Sequence, residues 1–333
     1  MKKLLLGTAL AGSVLLAGSS FAETKVNGYL ETTIGMTSNK TASVSENADP
    51  MSIGHETTIG LSNSVKLKNG LEFSAGFDVE NGASTDQYLK LSAGGTTFAV
   101  GNDVDGVADN VSQEDFTPHI AQAWHDAGMS AGAIAGVNTA HGSNGLYLIH
   151  KGAGFQVASV YSPNLAATNA AGASSNTARG ADNTAASGYD IAVSGDFGVP
   201  GLKLGYGISN AKNAKDSGST GDQEGTTYGV QYSMANVTVG YGRTKNQPVN
   251  SAIETTISSY GIAYKVSDAL SIGLYAADVE VDAVAKDESY KSAQIGYDLG
   301  GMGITLGYYQ AEDVGGVAGT DNDKFEIRTV SKF

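Results

Sequence analysis

Five carboxylates fall in one short run of this chain: Asp103, Asp105, Asp109, Glu114 and Asp115. At that density, carboxylates can hold a hard cation, share acid–base work, or charge a passage through which ions move. Asp103-Val104-Asp105 offers two hard oxygen ligands for a structural Ca²⁺, with nearby carbonyls to complete the shell. The Gly-x5-Glu continuation of a calcium-binding loop does not follow it. The other reactive residue types do not converge. His55, His119, His125, His141 and His150 never make His-x3-His or His-Glu-x-x-His metal spacing. The chain has no Gly-x-Ser-x-Gly elbow, no Gly-x4-Gly-Lys phosphate loop and no cysteine. A hydrolase therefore stays open only as a Ser–His pair assembled from different strands, which leaves no motif. No organic cofactor is implied. The formal charge of −14 argues against a nucleic-acid partner.

The acidic run opens a break in an otherwise monotonous chain. From Gly101 to Ser143 the sequence loses its alternation, and this segment holds the single Trp, Trp124. Thr117-Pro118 reads as the N-cap and first position of a short helix, with Gly128 as its C-cap. Ile120 and Trp124, about one turn apart, would pin that helix against a wall.

The N-terminus has the form of a secretory signal. Lys2-Lys3 precedes an apolar run from Leu4 to Ala17, and Ser20-Phe21-Ala22 makes a small-x-Ala cleavage site. The expected division is a signal peptide over 1–22 and one unit over 23–333. Loss of Lys2 and Lys3 leaves 18 bases against 34 acids, a mature charge of −16.

From Thr24 onward the dominant period is two. Val26, Leu30, Thr32, Ile34 and Met36 share one face; Asn27, Tyr29, Glu31 and Thr33 share the other. In the next hairpin Ile59, Leu61 and Val65 alternate with Gly60, Ser62 and Lys66, and Asn69-Gly70 supplies the positive φ angles of a tight turn. The pattern continues to Phe333 and yields sixteen strands. Connections of a few residues alternate with longer polar ones, at about 38–51, 81–86, 102–143, 162–186, 211–224, 246–254, 282–287 and 313–322. Even strand number with short turns at one end and long loops at the other predicts an all-β fold: a 16-stranded antiparallel transmembrane β-barrel with both termini at the short-turn end. Its third loop, 102–143, is expected to fold inward.

Tyrosines mark the lipid face. Tyr161, Tyr189, Tyr206, Tyr228, Tyr232, Tyr241, Tyr260, Tyr264, Tyr297 and Tyr308 fall on the apolar face near strand ends, as an interfacial belt requires. Before residue 140 there are only Tyr29 and Tyr88, and alternation turns both inward. A wall without a belt is better suited to protein than to lipid, so the first five strands read as an oligomer contact.

At this point the chain resembles the sixteen-stranded general porins of alphaproteobacterial outer membranes. The resemblance is carried by Leu89 to Asp109, with Gly94-Gly95 and Gly101-Asn102-Asp103-Val104-Asp105-Gly106, by Gly70-Leu71-Glu72-Phe73, and by the alternating end Phe325, Ile327, Thr329, Ser331, Phe333. It implies a homotrimer in the outer membrane, in contact with lipid and lipopolysaccharide, that passes small hydrophilic solutes. It also implies a third loop forming a constriction opposite a basic cluster. The final Phe333 is similar to the signal read by the barrel-assembly machinery. The mature chain departs from the family in having three arginines only, Arg179, Arg243 and Arg328. On the expected inner wall Lys66 and Lys90 stand among Glu56, Glu72, Asp78 and Glu80. The expected constriction thus comprises Asp103, Asp105, Asp109, Glu114 and Asp115 on the loop, with Glu56, Glu72, Asp78, Lys66, Lys90 and Arg328 on the wall. Lys203 and Lys265 are further inward bases. The carboxylates predict a mild cation preference. Inward Tyr88, Tyr275, Tyr290 and Tyr309 leave a sugar-selective channel as the competing expectation. An adhesin, with loop 162–186 as its recognition surface, is a third.

Overall fold

A computed structural model describes residues 23–41, 44–48, 51–81, 83–101, 116–118, 120, 145–163, 187–216, 219–247, 254–282, 284 and 286–333. The expected signal peptide, residues 1–22, and the five loop carboxylates lie outside the described residues. In chain order the strands are β1 (Glu23–Thr41), β2 (Val44–Ala48), β3 (Ser52–Lys66), β4 (Glu72–Glu80), β5 (Ala83–Ala93), β6 (Thr96–Gly101), β7 (Gly145–Gly152), β8 (Phe155–Ser162) and β9 (Ser187–Gly195). They continue as β10 (Leu202–Asp216), β11 (Ser219–Met234), β12 (Val237–Gln247), β13 (Thr255–Lys265), β14 (Leu270–Val281), β15 (Glu288–Asp298), β16 (Met302–Glu312) and β17 (Asp321–Lys332).

Sixteen of these strands close into an antiparallel barrel. β1 pairs on one side with β3, from Glu23↔Ser64 to Gly35↔Ser52, and on the other with β17, from Tyr29↔Lys332 to Lys40↔Asp321. Every other neighbour in the ring is consecutive in sequence. β2 adds no wall: it folds back on the end of β1, with Ser38↔Ala48 and Thr41↔Val44. Both termini lie at the short-turn end.

Three expected loops prove to be partly strand. β1 and β2 occupy much of 38–51, β10 and β11 run on through 211–224 to Asp216↔Ser219, and β5 begins at Ala83 across a bulge between Gly76 and Asp78. A backbone ladder needs no apolar alternation, so the polar sequence of these stretches does not reveal them as strand. The turn at Asn69-Gly70 also differs from expectation. Gly70 alone takes a positive φ, 85°, while Asn69 uses its side-chain oxygen to accept the Leu71 N–H at 3.2 Å.

Alternation sorts the two faces as expected. Outward Tyr161 pairs with Tyr189, Tyr206 with Tyr228 and Tyr241 with Tyr260; Tyr232, Tyr264 and Tyr297 form a second band beside the short turns. The outward face of β1, β3 and β5 instead shows Val26, Leu30, Ile59, Leu89 and Leu91.

Candidate functional site

The site is the inner wall together with the described part of the long insert. Phe116, Thr117, Pro118 and Ile120 lie against the inside of the barrel. Phe116 is fully buried over Gly205 and Gly229. The Thr117 hydroxyl sits 3.5 Å from the Ser259 hydroxyl, and the Ile120 N–H donates to the Gln294 side-chain oxygen at 2.7 Å. Ile120 is pinned to the wall as expected, but the helix expected to begin at Thr117-Pro118 does not form there: Pro118 and Ile120 are not helical, and the Ile120 N–H bonds to the wall instead of to a helical turn. Trp124 and Gly128 lie outside the described residues.

The expected inward bases differ in how they are engaged. Arg328 on β17 meets Glu31 on β1 at 2.5 Å, with side chains only 21% and 12% exposed. Earlier on the same face of β17, Lys324 meets Glu326 at 2.5 Å. The Lys90 ammonium lies 4.2 Å from the centre of the Tyr88 ring, and that of Lys203 lies 5.0 Å from the centre of Phe116. Such ring faces attract a cation without cancelling its charge. Lys265 pairs with Asp268 at 3.0 Å in an exposed position, and Lys66 stands in register with Glu72.

The carboxylates are less evenly engaged. Glu56 accepts a hydrogen bond from Tyr29, Glu72 is exposed, and Asp78 lies opposite Gly60. Glu326, absent from the expected set, is buried beside Lys324. Its signal was available in the alternation of Lys324, Glu326 and Arg328, which puts all three on one face. A space of ≈ 1160 Å³ opens at the short-turn end of the lumen, where Glu31, Glu56, Lys265, Asp268 and Arg328 meet water and Ile120 borders it.

The inward tyrosines are not lined up along the bore. Tyr275, Tyr290 and Tyr309 are all nearly inaccessible and cluster with Ile257, Ala277, Val279 and Ala311; the Tyr290 hydroxyl donates to Glu288. Tyr147, which sequence reading missed as an inward residue, is buried with Ala99 and Val160. Tyr88 lies over Gly76. Rings packed in this way offer little face to a passing sugar.

Among the described residues no three His, Asp or Glu are grouped to hold a metal. The calcium ligands expected at Asp103 and Asp105 lie outside them, as do His119, His125 and His141. His55 and His150 face outward and hydrogen-bond to Thr32 and Thr96 at 3.1 and 2.9 Å.

Residues 7–330 match the sequence profile of a family described as Gram-negative porin. No curated protein matches the chain in sequence. Among solved structures, the barrel resembles an anion-selective porin from Comamonas acidovorans (TM-score 0.68, 14% identity, 94% of this chain and 100% of that one). It also resembles the trimer form of OmpT, an outer membrane protein of Vibrio cholerae (0.63, 14%, 94% and 99%), and a variant of the Rhodopseudomonas blastica porin (0.62, 14%, 93% and 100%). At these identities the likeness is one of fold.

Proposed function

The chain belongs to the Gram-negative porin family, and from that premise we propose that it is a trimeric diffusion channel with a mild cation preference, narrowed by its 102–143 segment. As a porin it forms a water-filled channel in the outer membrane and catalyses no reaction. A barrel of sixteen strands leaves an aqueous bore unless something fills it.

The observation that carries the cation preference is the neutralisation of the inward arginine. Arg328 is held by Glu31 and its neighbour Lys324 by Glu326, so the last strand presents ion pairs to the bore in place of a basic ladder. The run from Asp103 to Asp115 then supplies carboxylates on the loop side. Carboxylates lining a narrow passage concentrate cations and repel anions.

The trimer is supported by the outward face of β1, β3 and β5, which lacks the tyrosines found elsewhere on the wall. The Thr32–His55 hydrogen bond, polar and outward on β1 and β3, suits a protein neighbour better than lipid. One structural neighbour is described in a trimer form. The test is conductance and reversal potential in a planar bilayer under a KCl gradient. Openings in groups of three with a potential favouring K⁺ are expected. Preference for chloride would overturn the selectivity while leaving the channel, and single openings would overturn the trimer.

A further inference from the structure

We propose that six inward glycines, Gly205, Gly229, Gly240, Gly261, Gly273 and Gly296, form a rail around β10 to β15 that fixes where Phe116, Thr117, Pro118 and Ile120 cross the lumen. The consequence for the bore rests on the constriction reading above; the docking itself does not.

The six share a property that sets them apart from turn glycines. None takes a positive φ, so none is required by its own backbone. A glycine inside a strand with ordinary dihedrals weakens the strand and needs another reason, and close approach of a second backbone is the usual one. Here that approach is visible at every position. A Cβ on Gly205 or Gly229 would overlap the Phe116 ring. On Gly240 it would overlap the Phe116 carbonyl oxygen, and on Gly261 it would lie 2.6 Å from the Pro118 oxygen. On Gly273 it would come within 3.0 Å of the Ile120 side chain, and on Gly296 it would overlap that side chain.

The order is as informative as the contacts. Passing from residue 116 to 120, the segment moves from β10 and β11 to β12 and β13 and then to β14 and β15. Gly205 stands opposite Gly229, and Gly240 opposite Gly261. Between these pairs the row slips: Gly229 faces Gly242 rather than Gly240, Gly273 faces Ala263, and Gly296 faces Ser271. Each slip is toward the short-turn end. Because barrel strands tilt, a row that slips steadily in register runs around the barrel at nearly constant height. The rail is therefore a level groove, one side chain deep. Gln294 and Ser259 flank it and receive the polar pins at Ile120 and Thr117.

The chain has no cysteine, so docking can be read without background. A Cβ on Gly296 would lie 3.9 Å from the Cβ of Ile120, within disulfide range. The double variant Ile120→Cys/Gly296→Cys is expected to cross-link in the folded barrel, and its conductance is the reference for the variants built on it. Adding Gly240→Ala should abolish the cross-link and raise the conductance, because the obstructing atom is backbone and cannot turn away. Gly205→Ala meets the far edge of the Phe116 ring, so it should lower cross-linking in a way that Phe116→Leu restores; it also serves if Gly240→Ala does not fold. Folding is checked by heat-modifiable migration on a gel. Absence of the cross-link in the folded double variant overturns the rail. So does an undiminished cross-link after Gly240→Ala. Loss of the cross-link with unchanged conductance upholds the rail and removes the segment from the constriction.

Discussion

Arg328 and Glu31 join the last strand of the barrel to the first by an ion pair at 2.5 Å, on the inner face of the seam where the ring closes. The pair links charge to closure, because the groups that neutralise the lumen also bridge the two ends of the wall.

Glu31→Gln removes the negative charge that faces Arg328 at 2.5 Å and so raises the positive charge of the inner wall. The reversal potential in a KCl gradient should move toward chloride. The partly buried guanidinium also loses its charged partner, a cost of roughly 1–3 kcal/mol, visible as a lower temperature of barrel unfolding on a gel. An unchanged potential would mean that Arg328 does not sense the permeating ions.

Neutralising Asp103, Asp105 and Asp109 together to Asn should weaken the preference for K⁺ over chloride. If the permeability ratio stays where it was, the loop carboxylates are solvated charges without influence on permeation.

Ile59→Arg tests the tyrosine-poor wall. An arginine in mid-strand facing outward costs about 2–4 kcal/mol against lipid and still more within a packed protein contact. Unheated gel electrophoresis should show dissociated trimers for Ile59→Arg. Val230→Arg, on the tyrosine-rich side, should lower barrel stability and leave the oligomer intact. Equal behaviour of the two variants would remove the assignment of the contact wall.

Phe333 closes the wall at the seam, and the assembly signal expected of it can be tested apart from that contact. Its backbone exchanges two hydrogen bonds with Gly28, each 3.0 Å, and a Cβ on Gly28 would overlap its ring. Deleting Phe333 should therefore slow refolding into detergent as well as assembly in cells. Gly28→Val keeps the terminal aromatic but crowds both its ring and the Thr58 carbonyl oxygen beneath it, so refolding should suffer more than recognition by the assembly machinery. A Phe333 deletion that fails only in cells would confine the residue to recognition.

Much of the wall was legible in the sequence because lipid and water impose a strict period of two, and Tyr161, Tyr206 or Tyr297 can satisfy it in one orientation only. The extended ends of β10 and β11 were not, since a ladder in water carries no such pattern. Pairing across the seam was also hidden: Glu31 and Arg328 are adjacent only after closure. The rail was hidden for a different reason. Gly205, Gly240 and Gly296 look in sequence like ordinary small lumen residues, and what occupies the space above each is a segment distant in the chain.

Rings laid on glycines recur inside this barrel: Tyr88 over Gly76, Tyr309 over Gly307 and Phe116 over Gly205. At each of these places the ring takes the space that a side chain would otherwise fill. At such places a single added methyl acts as a lever, since it tips a whole ring off the wall and toward the stream. The smallest substitutions available to the chain are thus among those expected to alter its permeability most.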